Sequence, residues 1–216
     1  KYDIINGIND CALYVFHRDH GVIDGWRDPA ISNADVASMN NGNKLPIVFS
    51  VNCHSGNFQV THTKCFAEAL LQKENGGAVG VVAATEETFS GYNDAMIEGF
   101  LDAIWPDPGL IPVFGNSDEV VKDPNIAPHD PIYTIGDVYN QGLFRMTETW
   151  DGWARDRQYE RYHYFGDPTT RIWTDLPVAI TATHDPQIKV GTNSFEITNS
   201  NCSNGLATIC INNELK

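Results

Sequence analysis

Two segments carry side chains suited to chemistry. Cys53 follows the apolar run Pro46-Ile47-Val48-Phe49-Ser50-Val51-Asn52, and His20, within Asp19-His20-Gly21, follows the run Cys11-Ala12-Leu13-Tyr14-Val15-Phe16. A cysteine attacks as its thiolate, which near neutral pH needs a neighbouring imidazole or helix N-terminus to hold the charge. A histidine within reach acts as base or ion-pair partner and then protonates a leaving amine. Gly21, without a side chain, lets its N–H approach an oxyanion closely, and the N–H of Cys53 completes a candidate oxyanion hole. These are the parts of acyl transfer through a thioester. By spacing alone they compete with a bland reading, a strand-end cysteine and a surface histidine, because seven histidines and five cysteines allow many chance pairs. His54 adjoins Cys53, but neighbouring side chains at a strand end point apart, which favours His20 as the base. His17, at the strand end, reads as a packing or rim residue.

Both candidates need strands behind them. Residues 11–16 and 46–52 read as buried strands, with a polar, irregular stretch over 17–45 between them. Residues 53–62 read as a loop. A helix follows over about 64–74, with Thr63 able to cap its start and Gly76-Gly77 stopping it. Gly77 to Ala84 is a third, wholly apolar strand, and burial on both faces suggests a parallel sheet covered by helices. A second helix runs from about Asn93 to Ile104 and ends at Pro106. Residues 105–131 read as loop, and Ile135, Val138, Tyr139, Leu143, Met146 and Trp150 then lie near helical spacing. The alternation of strand and helix argues for an α/β fold, whose ligands gather at the carboxyl ends of the strands. After Pro177 helical periodicity stops and short alternating segments begin, such as Ser194–Thr198 and Ala207–Ile211. A boundary near 177 is expected, giving domains 1–176 and 177–216. Cys202 and Cys210 lie in this second part, where a local disulfide is plausible.

The chain has 216 residues and a formal net charge of −14. No Lys/Arg cluster exists to neutralise phosphates, which argues against nucleic acid as partner. The acidity suits cationic substrates or divalent cations. No run of 18 or more apolar residues is present, so no membrane span is expected. No Cys/His spacing suggests zinc.

The motifs in order resemble one family. Asp19-His20-Gly21 with Asp24-Gly25-Trp26 resembles the histidine loop of the gingipain family of cysteine endopeptidases, which have a caspase-like fold. Leu45 to Phe58 is similar to that family's nucleophile segment, Cys65-Phe66-Ala67-Glu68-Ala69-Leu70 to the start of its next helix, and Gly80 to Thr85 to its following strand. Tyr164-Phe165-Gly166-Asp167-Pro168-Thr169 resembles its Phe-Gly-Asp-Pro signature. The resemblance spans about residues 11–200.

The resemblance implies a caspase-like, mostly parallel sheet flanked by helices, the C-terminal part of a catalytic domain, followed by the start of an immunoglobulin-like β-sandwich. It makes Cys53 the nucleophile and His20 its partner in a cysteine endopeptidase that cleaves after a basic residue, Lys favoured over Arg. Phe89 and Tyr92 would wall the substrate pocket. Asp94, or less readily Glu86 or Glu87, would meet a cationic side chain, the alternative for Asp94 being a helix cap. The loop lacks the tryptophan of the family. Structural calcium is implied at the carbonyl of Phe58 and the carboxylate of Glu68, a first-turn glutamate being the alternative, and no organic cofactor is implied. The expected partners are a peptide or protein substrate and the N-terminal chain of the same precursor, which would carry upstream strands and a third catalytic carboxylate. The expected location is secreted or at the cell surface. Two alternatives share the fold: a sortase-like transpeptidase, and a non-catalytic adhesion or assembly scaffold.

Overall fold

The computed structural model describes residues 1–60, 62–106, 110–113, 116–122, 130–175, 178–192, 194–199, 210–211 and 214–215. The chain opens with α1 (Tyr2–Asp10), which buries Ile5 and Ile8. Next comes β1 (Tyr14–His17). The expected irregular stretch instead holds a three-stranded meander, β2 (Gly21–Val22), β3 (Gly25–Arg27) and β4 (Ala30–Ser32), and a short helix α2 (Asn33–Ala37). Then follow β5 (Ile47–Ser50), α3 (Phe66–Leu71), β6 (Gly80–Ala84), α4 (Ser90–Ile104), β7 (Leu110–Val113), β8 (Asn116–Lys122), α5 (Ile135–Thr149), α6 (Trp153–Arg161) and β9 (Tyr162–Phe165). The β7–β8 hairpin occupies part of what reads as loop in the sequence.

The central sheet has the order β1-β5-β6-β9. β1, β5 and β6 run parallel, and β9 closes one edge antiparallel to β6. Successive strand residues face opposite sides of a sheet. Ile47, Phe49, Val51, Val82 and Ala84 therefore join α4 and α5 in one apolar cluster, while Val48, Val81 and Ala83 join α1 and α3 in another. This two-sided burial is why β5 and β6 read as unbroken apolar runs. α4 and α5 approach closely because both are glycine at the contact: a Cβ on Gly99 would lie 2.8 Å from Gly142 Cα. Beside it, Arg145 is paired with Asp102 at 2.8 Å, both buried.

α3 starts later than expected, at Phe66, and its cap is not Thr63. The Cys65 N–H donates to Glu68 Oε2 at 2.9 Å, a capping-box arrangement with cysteine in the serine position. α4 starts earlier, at Ser90, so Asp94 lies beyond its first turn and does not cap it.

The chain divides into two units, Lys1–Thr174 and Asp175–Lys216. In the second, β10 (Ala182–His184) pairs antiparallel with β11 (Ile197–Asn199), and β12 (Cys210–Ile211) with β13 (Glu214–Leu215). Cys202, half of the disulfide considered above, lies outside the described residues. Among the described residues, no helix is long and apolar enough to cross a membrane.

Candidate active site

The carboxyl ends of β1 and β5 lie side by side, His17 opposite Ser50, and the Val51 N–H continues the ladder to His17 C=O at 2.9 Å. The chain leaving β1 reaches His20 in three residues, and the chain leaving β5 reaches Cys53 in three. The two exits touch at Gly21. A Cβ there would fall 2.1 Å from Asn52 Oδ1 and 2.4 Å from the Cys53 carbonyl oxygen, so only glycine fits. Gly21 pairs with Trp26 in the meander, and the Arg27 N–H donates to His20 C=O at 2.9 Å. That bond makes Gly21–Trp26 a non-hydrogen-bonded pair, which leaves the Gly21 N–H outside the ladder. Among the described residues, the Cys53 N–H makes no backbone hydrogen bond either, whereas the His54 N–H is taken by Glu86 C=O at 3.1 Å. His54 itself adopts a left-handed backbone with φ 61°.

The His20 imidazole is 86 % exposed, and its Nε2 stands 3.9 Å from Asp19 Oδ1. No hydrogen bond joins it to Cys53 Sγ among the described residues. The sulfur, half-buried, instead meets Thr88, with the Thr88 N–H donating to Sγ at 3.4 Å and the Thr88 hydroxyl 3.6 Å away. In an unliganded site such distances between nucleophile and base are commonly long and close up around substrate.

Beneath the two exits lies a buried polar network. The Asn52 Nδ2 donates to His17 Nδ1 at 2.8 Å and to Ser50 Oγ at 2.9 Å. His17 Nδ1 is thus an acceptor, so its proton is on Nε2, which faces the Asp28 carbonyl at 3.1 Å. The imidazole lies flat on Trp26, with ring centroids 4.2 Å apart, and Trp26 Nε1 donates to Ser50 Oγ at 2.7 Å. Burial holds the His17 pKa below its ordinary value, against the weaker pull of the Asp28 carbonyl. His17 is therefore a neutral packing residue, not a candidate base.

The residues read as pocket walls form one aromatic group. Phe89 meets Tyr92 and Trp153 edge-on at 5.9 and 5.4 Å, and Tyr92 stacks on Trp150 at 4.8 Å. The Arg161 guanidinium lies 5.7 Å over the Phe89 ring. Phe89 follows Thr88, so this group begins one residue from the sulfur's neighbour. Asp94 comes with a cation already in place. Arg18, from the histidine loop, puts Nε 2.5 Å from Asp94 Oδ1 and donates through Nη2 to the Ser90 carbonyl at 3.0 Å. Glu86 likewise meets Arg161 at 3.3 Å. The aromatic partners Trp150 and Trp153, the Arg18–Asp94 pair and Thr88 escape sequence reading, since each depends on segments brought together only by the fold.

Phe58 and Glu68, expected to hold calcium, offer one carbonyl and one carboxylate. Glu68 Oε2 is engaged by the α3 cap, and Lys64 lines the same open hollow as Glu68, with Val60, His62 and Thr63. Calcium takes six to eight oxygens, backbone carbonyls and waters included, of which these two residues would supply a part. Among the described residues no group of three or more His, Cys, Asp or Glu is placed to hold a metal ion.

The family model of peptidase family C25 matches residues 1–173. Gingipain R2 of Porphyromonas gingivalis is 27% identical over 198 residues, 90% of this chain and 24% of its own length. Gingipain R1 of the same organism is 26% identical over 216 residues, 99% of this chain and 20% of its own length. The chain thus spans about a quarter or less of the curated relatives it matches. The solved structure of the Arg-specific cysteine proteinase gingipain R (RGPB) superposes with a TM-score of 0.71 at 24% identity, over 93% of this chain and 42% of that one. The complex of Porphyromonas gingivalis RgpB pro- and mature domains gives a TM-score of 0.65 at 25% identity, over 93% and 43%.

Proposed function

Because the chain belongs to peptidase family C25, we propose that it is the nucleophile-bearing part of a cysteine endopeptidase. The observation that carries the reading is Gly21 pressed against the backbone of Cys53. It draws together the histidine loop, the cysteine and two N–H groups outside the backbone ladders. In the proposed mechanism, Cys53 Sγ, its proton passed to His20, attacks the scissile carbonyl carbon as thiolate. The oxyanion is held by the N–H groups of Gly21 and Cys53. His20 gives its proton to the leaving amine, and water then releases the acyl group from sulfur. His20 is exposed enough to swing toward the sulfur when substrate covers it.

Cleavage after a basic residue, Lys favoured over Arg, is the finer part of the proposal. For a basic residue the support is the net charge of −14 and the description of one structural relative as Arg-specific; the Lys preference itself rests on the acids of the loop, Glu86, Glu87 and Asp94. A substrate cation reaches Asp94 only by displacing Arg18, which makes Arg18 part of the specificity. Phe89 and Tyr92, with Trp153, would flank the aliphatic stem of that side chain. The N-terminal part of the same precursor is the proposed partner. β1 lies at the outer edge of the sheet among the described residues, and a strand edge of this kind accepts another strand. A secreted or surface location follows from the same reading, with the residues after 177 beginning an immunoglobulin-like domain.

The test is labelling with peptidyl chloromethyl ketones carrying Lys, Arg or Leu, with the adduct mapped by mass spectrometry. An adduct on Cys53 from a basic probe is the expected result. Labelling by Leu alone would keep the peptidase and remove the basic preference. No adduct on Cys53 under reducing conditions would leave the scaffold reading.

A further inference from the structure

Resting on that reading, we infer that Thr88 is a further catalytic residue, whose N–H and hydroxyl hold the Cys53 sulfur as thiolate while Asn93 aims the hydroxyl. Thr88 presents two donors to the sulfur, the N–H at 3.4 Å and the hydroxyl at 3.6 Å, both nearer than its carbonyl oxygen at 4.0 Å. The direction of the hydroxyl proton follows from its other partner. Asn93 Nδ2 donates to Thr88 Oγ1 at 2.9 Å. The amide is oriented by its oxygen, since Asn93 Oδ1 accepts from Gln158 Nε2 at 2.8 Å and from the Tyr162 hydroxyl at 2.9 Å. Asn93, Gln158 and Tyr162 are all buried. Burial holds Tyr162 far above the ordinary phenol range, so it remains a donor. Thr88 Oγ1 thus accepts from Asn93 on the protein side, which leaves its one proton free to point at Cys53 Sγ.

A sulfur held by two donors is stabilised as the anion, because bonds to a charged acceptor are stronger than bonds to a neutral one. When the thiolate attacks, the C–S bond forms, the carbonyl π pair moves to the oxyanion, and both donors lose their charged acceptor. The gain is therefore in the fraction of enzyme carrying thiolate and not in the attack itself, since a stabilised thiolate is a somewhat weaker nucleophile. The effect has a signature in pH. It is large where the thiol would otherwise be protonated and vanishes where it is ionised anyway. The titratable and charged groups around Cys53 are Arg18, Asp19 and His20 from the histidine loop, His54 beside it, Glu86 and Glu87 from the Thr88 loop, and Tyr162 from β9. Of these, Tyr162 alone also hydrogen-bonds the Thr88 side chain, and burial keeps its phenol protonated across the range tested.

The experiment uses the full-length protein with Thr88→Val, which removes the hydroxyl but keeps the N–H and the shape, and Thr88→Ser, which keeps both donors. Iodoacetamide alkylation of Cys53 and kcat/KM are followed from pH 5.5 to 9.5. In Thr88→Val the alkylation rate is expected to fall about tenfold at the acid end and to meet the parent rate at the alkaline end. Thr88→Ser is expected to track the parent, and Asn93→Ala to give a smaller shift in the direction of Thr88→Val. An unchanged profile in Thr88→Val, or a loss equal at every pH, overturns the inference. Should Thr88→Val not fold, the Asn93→Ala profile decides on the same terms. A parent protein that cleaves no peptide through Cys53 overturns the peptidase reading itself, a result separate from either.

Discussion

Asn52 and His17, at the ends of two neighbouring parallel strands, are joined by a 2.8 Å hydrogen bond from the Asn52 amide to His17 Nδ1. The bond ties the exit of β1 to the exit of β5, and so the histidine loop to the cysteine. Removing it with Asn52→Ala also removes the amide oxygen against which Gly21 rests. The expected loss is about 2–3 kcal/mol of stability, for a buried amide cut from its hydrogen bonds. Urea unfolding measures it, and a loss below about 0.5 kcal/mol would show that the tie contributes little.

The same histidine gives stability a dependence on acid. Burial lowers the His17 pKa in the folded chain from its ordinary 6.5. As the pH falls below 6.5, the unfolded chain takes up the proton first. The contribution is complete above that value and is lost as the pH drops toward the folded one. In His17→Phe, which keeps the stack on Trp26, the fall in Tm between pH 7 and pH 5 should be shallower than in the parent. Parallel curves would mean that His17 does not titrate in this window.

Gly21→Ala should nearly abolish turnover. The added carbon meets Asn52 Oδ1 at 2.1 Å and Cys53 O at 2.4 Å, and the loop must move, taking one N–H away from the oxyanion. Loss of a single such donor lowers kcat by about 10²–10³. Steady-state kinetics with KM within a few-fold of the parent would agree with this; activity within twofold of the parent would exclude Gly21 from the oxyanion site.

Arg18→Ala should raise kcat/KM toward substrates with Lys or Arg at the cleaved bond by several-fold and leave uncharged substrates little changed. The substitution frees Asp94 without touching the sulfur or its donors. An equal fall for all substrates would mean that Arg18 supports the loop and has no part in selection.

Glu68→Ala should cost about 1 kcal/mol through loss of the α3 cap. With Glu68 Oε2 engaged by the cap and Lys64 lining the same hollow, millimolar calcium is expected to leave the Tm of the parent unchanged through this residue. A calcium-induced rise in Tm that disappears in Glu68→Ala would restore Phe58 and Glu68 as ligands.

Legibility in the sequence followed the physics of burial. β5 and β6 are apolar on both faces, and α5 keeps helical spacing throughout, so all three stand out from the residues alone. α1 buries the apolar residues Ile5 and Ile8, a weaker signal in sequence than the run that follows it. β2 to β4 are two or three residues each, too short for a period to appear. His20, Gly21 and Cys53 were legible because each follows a strand that could be found. Thr88 was not, since nothing about a loop threonine announces a sulfur 35 residues away in sequence. Asp94 is legible as an acid of the loop, but its partner Arg18, 76 residues distant, is not.

The three described free thiols stand in unlike settings: Cys11 exposed, Cys53 half-buried, Cys65 buried. Burial at the α3 cap pushes the Cys65 thiol up to about 11. At pH 7 roughly one such thiol in 10⁴ is ionised, and peroxide and electrophiles consume thiolate. Cys65 is thereby a much slower target than an ionised thiol for the oxidants that would inactivate Cys53. Oxidative damage to the described thiols of unit one then falls first on Cys11 and Cys53, which are less buried, so peroxide inactivation that stops at the sulfenic acid should be reversed by a reductant.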